Sequence, residues 1–385
     1  MDKRVYLLTI ISFVVGMVEL IIGGILDLVA DDLQVSIGTA GLLISVFSLV
    51  FAISAPILLY ISGQADRKKV MIVSLIIFTI GNVAAALSPS FAILLIARVI
   101  TAASGSLLVI LCITIASTIV EKHYIGRAIG IVIMGVSGSL VLGVPIGLSL
   151  GHIFSWRAPF LLIAGLAIVM MFAVTKFLGY IEAQPTVPIK QQLQTLKKPA
   201  VLFAHATTFL FLAGHYTFYA YFTPFLVSTF GFGGSMLSFM YFLFGIAAVS
   251  GGGLSGVLTD RFNPRLIVII STCSFALTLF LIPYVTFAVP VFLLFVIVWG
   301  MLNWMITPPL QRYLIEIEPK TAGIQQSLNN SSLHLGIAFG ALVGSAVVER
   351  TNVHMTSFVG GCIVILSIGT AVLSIRASKK SQPSE

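Results

Sequence analysis

Glu19 is an acid set deep in an apolar run, with about fourteen apolar or small residues before it and seven after. An ionised carboxylate at that depth in hydrocarbon costs several kcal/mol, so the group is expected to take up a proton unless a cation or water faces it. A group whose charge depends on the side it faces is what a proton carrier needs. The other reading is a carboxylic acid held neutral by a hydrogen bond to a neighbouring helix. Asp27 lies eight residues on, about 12 Å along a helix and about 80° around it. It is a second protonation candidate, or a solvated helix end just before Asp31 and Asp32. Arg98 is the one cation set well inside a predicted span rather than at its edge. A buried guanidinium pairs with a carboxylate or with backbone carbonyls. Here it is either the partner that tunes Glu19 or a side chain reaching back to the interface.

A second group of residues suits recognition rather than proton chemistry. Gln326, Asn329, Asn330 and His334 share a helical face, as do His215, Tyr219 and Phe222, with Tyr216 beside them. Asn303 and Trp304 follow Trp299 in a third segment, and Asn82 adds an amide from the first half. Hydrogen-bonding side chains in hydrocarbon face protein or a cavity, not lipid. Aromatic faces with amide edges fit a flat, weakly charged heterocycle. Helix–helix hydrogen bonding and an interfacial aromatic belt are the alternatives.

The elements that must hold these residues follow from composition. Of 385 residues only 9% are charged, and 58% are of hydrophobic types. A soluble protein carries about 25% charge, so a soluble enzyme is excluded. Apolar runs long enough to span a bilayer fall at 5–29, 37–61, 70–88, 91–119, 127–150, 158–178, 200–227, 236–258, 265–284, 288–311, 323–347 and 355–375. Twelve spans and short loops leave no room for a soluble catalytic domain. Eighteen of the 21 Lys and Arg residues fall on one side of this alternation, Arg157 and Arg350 on the other. The positive-inside rule then places both termini in the cytoplasm.

The stretch 179–199 is the longest polar segment and contains Pro185 and Pro188. It is expected to be a cytoplasmic linker between six-helix bundles at 1–178 and 200–375, with a tail at 376–385. The loops support a repeat: Asp66-Arg67 and Asp260-Arg261 are 194 residues apart. Cys112, Cys273 and Cys362 lie in apolar runs, so no disulfide framework or metal site is implied. Motifs for ATP hydrolysis, zinc proteolysis and a nucleophile elbow are absent from the sequence, and no cofactor is expected.

The motifs resemble those of the major facilitator superfamily, in its twelve-span drug:proton antiporter branch. Gly256, Leu258, Asp260, Arg261 and Arg265 match that family's cytoplasmic loop, and Arg98 with Gly105 resembles its fourth-span element. Gly143-Val144-Pro145-Ile146-Gly147 is similar to its antiporter motif, with Val144 between a Gly and a Pro that usually adjoin. W-R-A-P-F at 156–160 is a further signature. The phrases VGMVELIIGGIL, AGHYTFYAYFTPFL and IQQSLNNSSLHLGIAFG are similar to bacterial purine base and nucleoside efflux pumps.

The resemblance implies an all-α integral membrane protein with twelve transmembrane helices in two pseudo-symmetric bundles. It implies a bacterial cell-membrane antiporter that works as a monomer and binds a small organic substrate and protons, with no nucleic-acid partner. Asp66, Arg67, Asp260 and Arg261 would then be an inner latch, or topogenic charge alone. Gly143, Pro145 and Gly147 would form a tight helix seam. A proton-independent facilitator or sugar exporter on the same fold is the alternative, and a membrane receptor or sensor is the alternative of another class.

Overall fold

The apolar runs fold as helices because, in hydrocarbon, each backbone N–H and C=O needs a partner within its own segment. A computed structural model describes residues 2–181 and 189–381. Residues 182–188 of the expected linker, Pro185 and Pro188 among them, lie outside the described residues, as does the end of the tail, 382–385. Among the described residues there is no strand. Among the same residues twelve helices are long and apolar enough to span: α1 Lys3–Gly24, α2 Ile37–Ile61, α3 Arg67–Ala86, α4 Phe91–Thr118, α5 Ile125–Ile153, α6 Ala158–Phe177, α7 Pro199–Phe230, α8 Gly234–Arg261, α9 Pro264–Val285, α10 Val289–Ile317, α11 Pro319–Arg350 and α12 Met355–Lys379.

Helix starts are set by short polar side chains that take orphan N–H groups. Asp2 accepts from Arg4 N, Ser36 from Thr39 N, Asp66 from Lys68 N and Asn263 from Arg265 N.

Contacts divide the chain into two compact units. One holds α1 to α6 with the segment Phe232–Phe242; the other holds α7 and the chain from Leu243 onward. In the first unit α1 packs against α2, α4, α5 and α6. In the second, α7 packs against α11 and α12, and α9 against α10 and α12.

Several spans are not regular. The first was expected to run through residue 29, but α1 stops at Gly24. Ile25 breaks it with φ −111° and ψ 18°, and a short helix Leu26–Asp32 follows. α7 breaks in the same way at Tyr221, φ −114° and ψ 18°, between Pro199–Tyr219 and Phe222–Phe230. The two breaks are 196 positions apart, so the repeat seen in the loops also appears in the backbone. In α5, Ser139–Gly143 forms a single π-helical turn. Such a turn holds an extra residue within a helix, which is how the chain absorbs Val144 ahead of Pro145.

Candidate functional site

Glu19 sits on α1 where that helix meets α4, and its side chain is half-buried. Arg98 is fully buried. Its Nη1 donates to the carbonyl of Val18 at 2.7 Å, its Nε reaches the Leu43 carbonyl at 3.5 Å, and its guanidinium lies 3.9 Å from the centre of the Phe47 ring. One side chain thus ties α4 to α1 and α2. The reach toward the interface that the sequence left open is not what Arg98 does. It remains in the interior, on the carbonyl of the residue just before Glu19. A cation–π contact of this kind contributes about 0.5–2 kcal/mol.

α5 lines the other side of α1 with glycine. A Cβ on Gly135 would stand 2.2 Å from the Thr9 carbonyl oxygen, one on Gly143 2.5 Å from Met17 Cγ, and one on Gly147 2.1 Å from Ile21 Cδ1. Small residues let two helices meet at backbone distance. Gly143 and Gly147 of the expected seam therefore stand against Met17 and Ile21 of α1, residues that flank Glu19 in sequence. The π turn is part of it, since a Cβ on Gly16 would meet Ser139 Oγ at 2.3 Å.

At one end of this unit the W-R pair acts as a clamp. Arg157 Nη1 donates to Asp32 Oδ2 at 2.7 Å, Nη2 donates to the Ser88 carbonyl at 3.1 Å, and Trp156 Nε1 donates to the same Asp32 oxygen at 3.0 Å. These bonds hold the Asp32 carboxyl below the usual carboxylate range. Sequence reasoning singled out W-R-A-P-F only as a signature and missed this role. The partner Asp32 is 124 residues away.

The two Asp-Arg loops, one in each unit, are not equivalent. Asp66 caps α3, and Arg67 is buried with its guanidinium toward the Ser62 and Gly63 carbonyls at 3.3 and 3.4 Å. Asp260 and Arg261 are exposed. Arg312 lies 3.7 Å from Asp260, and the cap in the second half is Asn263.

The expected recognition residues separate by burial. Asn82 is fully buried, and its amide donates to the Phe78 carbonyl of its own helix at 2.8 Å. His215 and Tyr219 are buried in a ring cluster with Phe244 and Trp299, with centroids 4.6–6.0 Å apart. Asn303 and His334 are also buried. Tyr216 and Trp304 are half-buried, and Gln326 and Asn330 are exposed.

The amides facing into the second unit are Gln325 and Asn329. His205 Nε2 and Gln325 Oε1 are 2.9 Å apart, and Thr208 donates to Asn329 Oδ1 at 2.5 Å. Gln325, His205 and Thr208 were not predicted. The available signal was His205 and Thr208 at i and i+3 in a span. Gln326 and Asn330, each one position further along α11, are exposed. Among the described residues no group of His, Cys, Asp and Glu could hold a metal ion.

Comparison with known proteins gives a consistent picture. The sequence profile described as Major Facilitator Superfamily matches residues 8–341. An uncharacterized MFS-type transporter, YbcL of Bacillus subtilis (strain 168), is 34% identical over 377 residues, covering 98% of this chain and 97% of the relative. A probable sugar efflux transporter of Helicobacter pylori (strain P12) is 25% identical, covering 95% of this chain and 93% of its own. Among solved structures, a bacterial homolog of the human lysosomal transporter Spinster, inward-facing and occupied, aligns with a TM-score of 0.81. Its identity is 16%, covering 99% of this chain and 98% of that one.

Proposed function

This chain belongs to the major facilitator superfamily, and from that premise we propose that it is a proton-coupled antiporter that exports small organic molecules by alternating access. Its family and its transporter relatives make it a transporter rather than an enzyme. Glu19 is the proton carrier. The observation that carries this reading is the Arg98–Val18 bond, which places a fully buried cation on the backbone beside the acid. A proton on Glu19 removes the charge that Arg98 feels, so loading and unloading change the force between α1 and α4. Asp27 is a further proton-binding residue. Both termini are cytoplasmic, and Asp66, Arg67, Asp260 and Arg261 serve the inner latch.

The substrate class we favour is a flat, weakly charged heterocycle, a purine base or nucleoside or a drug of that shape. Tyr216 and Trp304 offer ring faces and Gln326 and Asn330 offer amide edges on accessible or half-buried surface. An inward-negative potential drives one returning proton by about 2.3 kcal/mol per 100 mV, more than the roughly 1.4 kcal/mol of a tenfold gradient.

A second reading, a sugar exporter, is favoured by one observation: the Helicobacter pylori relative is named a probable sugar efflux transporter. Purified protein in liposomes with an internal pH dye distinguishes the two. Proton flux on adding adenine, hypoxanthine or guanosine supports the first. Flux on adding sugars alone supports the second.

A further inference from the structure

α11 carries two amide doublets, Gln325-Gln326 and Asn329-Asn330. Either member of each doublet could turn inward if the helix rotated by about 100°. Contacts with α7 decide between the two rotations. Gln325 and Asn329 are buried, and so are His205 and Thr208 opposite them. His205 Nε2 and Gln325 Oε1 are 2.9 Å apart, and Gln325 Nε2 donates to Thr321 Oγ1 at 3.1 Å. The Gln325 oxygen therefore faces the ring, and His205 Nε2 carries the hydrogen and donates it. One turn on, Thr208 donates to Asn329 Oδ1 at 2.5 Å.

Farther along, the same side of α11 meets α7 through glycine. A Cβ on Gly336 would stand 2.4 Å from the Phe209 carbonyl oxygen, and one on Gly340 2.2 Å from that of Ala213. Gln325, Asn329, Gly336 and Gly340 fall within about 60° of one another around the helix. Backbone contact sets the rotation of the later part of α11. The bonds from His205 and Thr208 set that of the earlier part.

Packing does not account for the imidazole. Nδ1 of His205 is buried without a hydrogen-bond partner, a cost that an apolar side chain of similar size would not carry. Nor is a histidine needed to join the two helices. In the first unit Thr9, 196 positions before His205, donates to the Ile131 carbonyl of α5 at 3.2 Å. That bond holds a main-chain group, whereas the bond from His205 selects one of two identical side chains.

We propose that His205 is a positioning residue for substrate recognition: by holding Gln325 it sets the rotation of the first part of α11 and so presents Gln326 and Asn330 on the exposed face. Thr208 acts with it through Asn329. That Gln326 and Asn330 meet substrate rests on the proposed function; which amides turn inward does not.

Cysteine labelling of the purified protein tests this, with the exposed Cys273 and Cys362 first replaced by serine. Gln326→Cys and Asn330→Cys are treated in turn with a water-soluble maleimide. Both are expected to label with His205 in place and to lose most of that labelling in His205→Leu. They should keep it in His205→Gln, whose amide can still donate to Gln325. A merely structural histidine would lower the apparent Tm in His205→Leu without changing which positions of the folded protein label. Labelling unchanged in His205→Leu overturns the proposal. If that variant does not fold, Gln325→Met removes the acceptor instead of the donor and is expected to give the same loss; unchanged labelling there overturns the proposal as well. Failure of both positions to label with His205 in place is a separate result. It takes Gln326 and Asn330 off the substrate surface, so that reading of them fails first and the positioning role falls with it.

Discussion

Arg98 donates through Nη1 to the carbonyl of Val18 at 2.7 Å, on the residue immediately before Glu19. The cation of α4 is thus fixed to the main chain of α1 rather than to a side chain that could swing away. Whatever changes the charge on Glu19 acts against a partner held in place by Val18, Leu43 and Phe47.

Arg98→Lys keeps the charge and loses the planar fork and the stack on Phe47. Arg98→Ala loses all three and leaves buried carbonyls less satisfied, a loss of about 1–3 kcal/mol. The alanine variant is expected to show a clearly lower apparent Tm and no proton-coupled transport. The lysine variant should retain most of the stability and lose at least tenfold in coupled transport. Thermal melts and liposome flux, measured side by side, check the separation.

The glycine seam makes a graded prediction. Gly135→Ala pushes a methyl group against a backbone carbonyl that cannot move aside, and overpacking of this kind costs about 1–3 kcal/mol. Gly165→Ala meets nothing within 4 Å and replaces a poor helix former with the best one. The first should lower the apparent Tm, and the second should leave it unchanged or raise it.

Asp32 supplies the pH dependence. Its carboxyl is held below the ordinary value by Trp156 and Arg157, so it binds a proton less readily folded than unfolded. Its contribution to stability is present above about pH 4. It is lost as pH falls through the lowered folded value. The group is half-exposed and the effect correspondingly modest. Asp32→Asn should therefore lower the apparent Tm at neutral pH, and the difference from wild type should shrink as the buffer is acidified below pH 4.

The two amide doublets of α11 separate structure from recognition. Asn329→Ala removes the acceptor of the Thr208 hydroxyl and should cost about 1–3 kcal/mol of stability. Gln326→Ala and Asn330→Ala, at exposed positions, should leave melting unchanged and weaken substrate binding. Paired melts and binding titrations would contradict this if the exposed variants proved the destabilising ones.

These results also show which features the sequence makes legible. The spans are legible because hydropathy alone decides what can cross hydrocarbon. Glu19 and Arg98 are legible because a charge there is conspicuous. The doublets Gln325-Gln326 and Asn329-Asn330 are not. Neighbouring residues lie about 100° apart around a helix, and two identical amides give no sign of which one turns inward. The break at Ile25 is hidden too, since no proline marks it and Tyr241, whose hydroxyl donates to the Gly23 carbonyl beside it, is 218 residues away. Val144 reads as a departure from a motif, and only the π turn at Ser139–Gly143 explains how the chain absorbs it.

The central claim is that Glu19 carries the coupled proton, and it is tested most directly by proton flux into liposomes containing wild type or Glu19→Gln. Dye-reported proton movement is expected on substrate addition with the wild type, and none with the variant, while substrate binding is retained. Equal proton flux in both proteins, or substrate movement without proton flux in either, would contradict it.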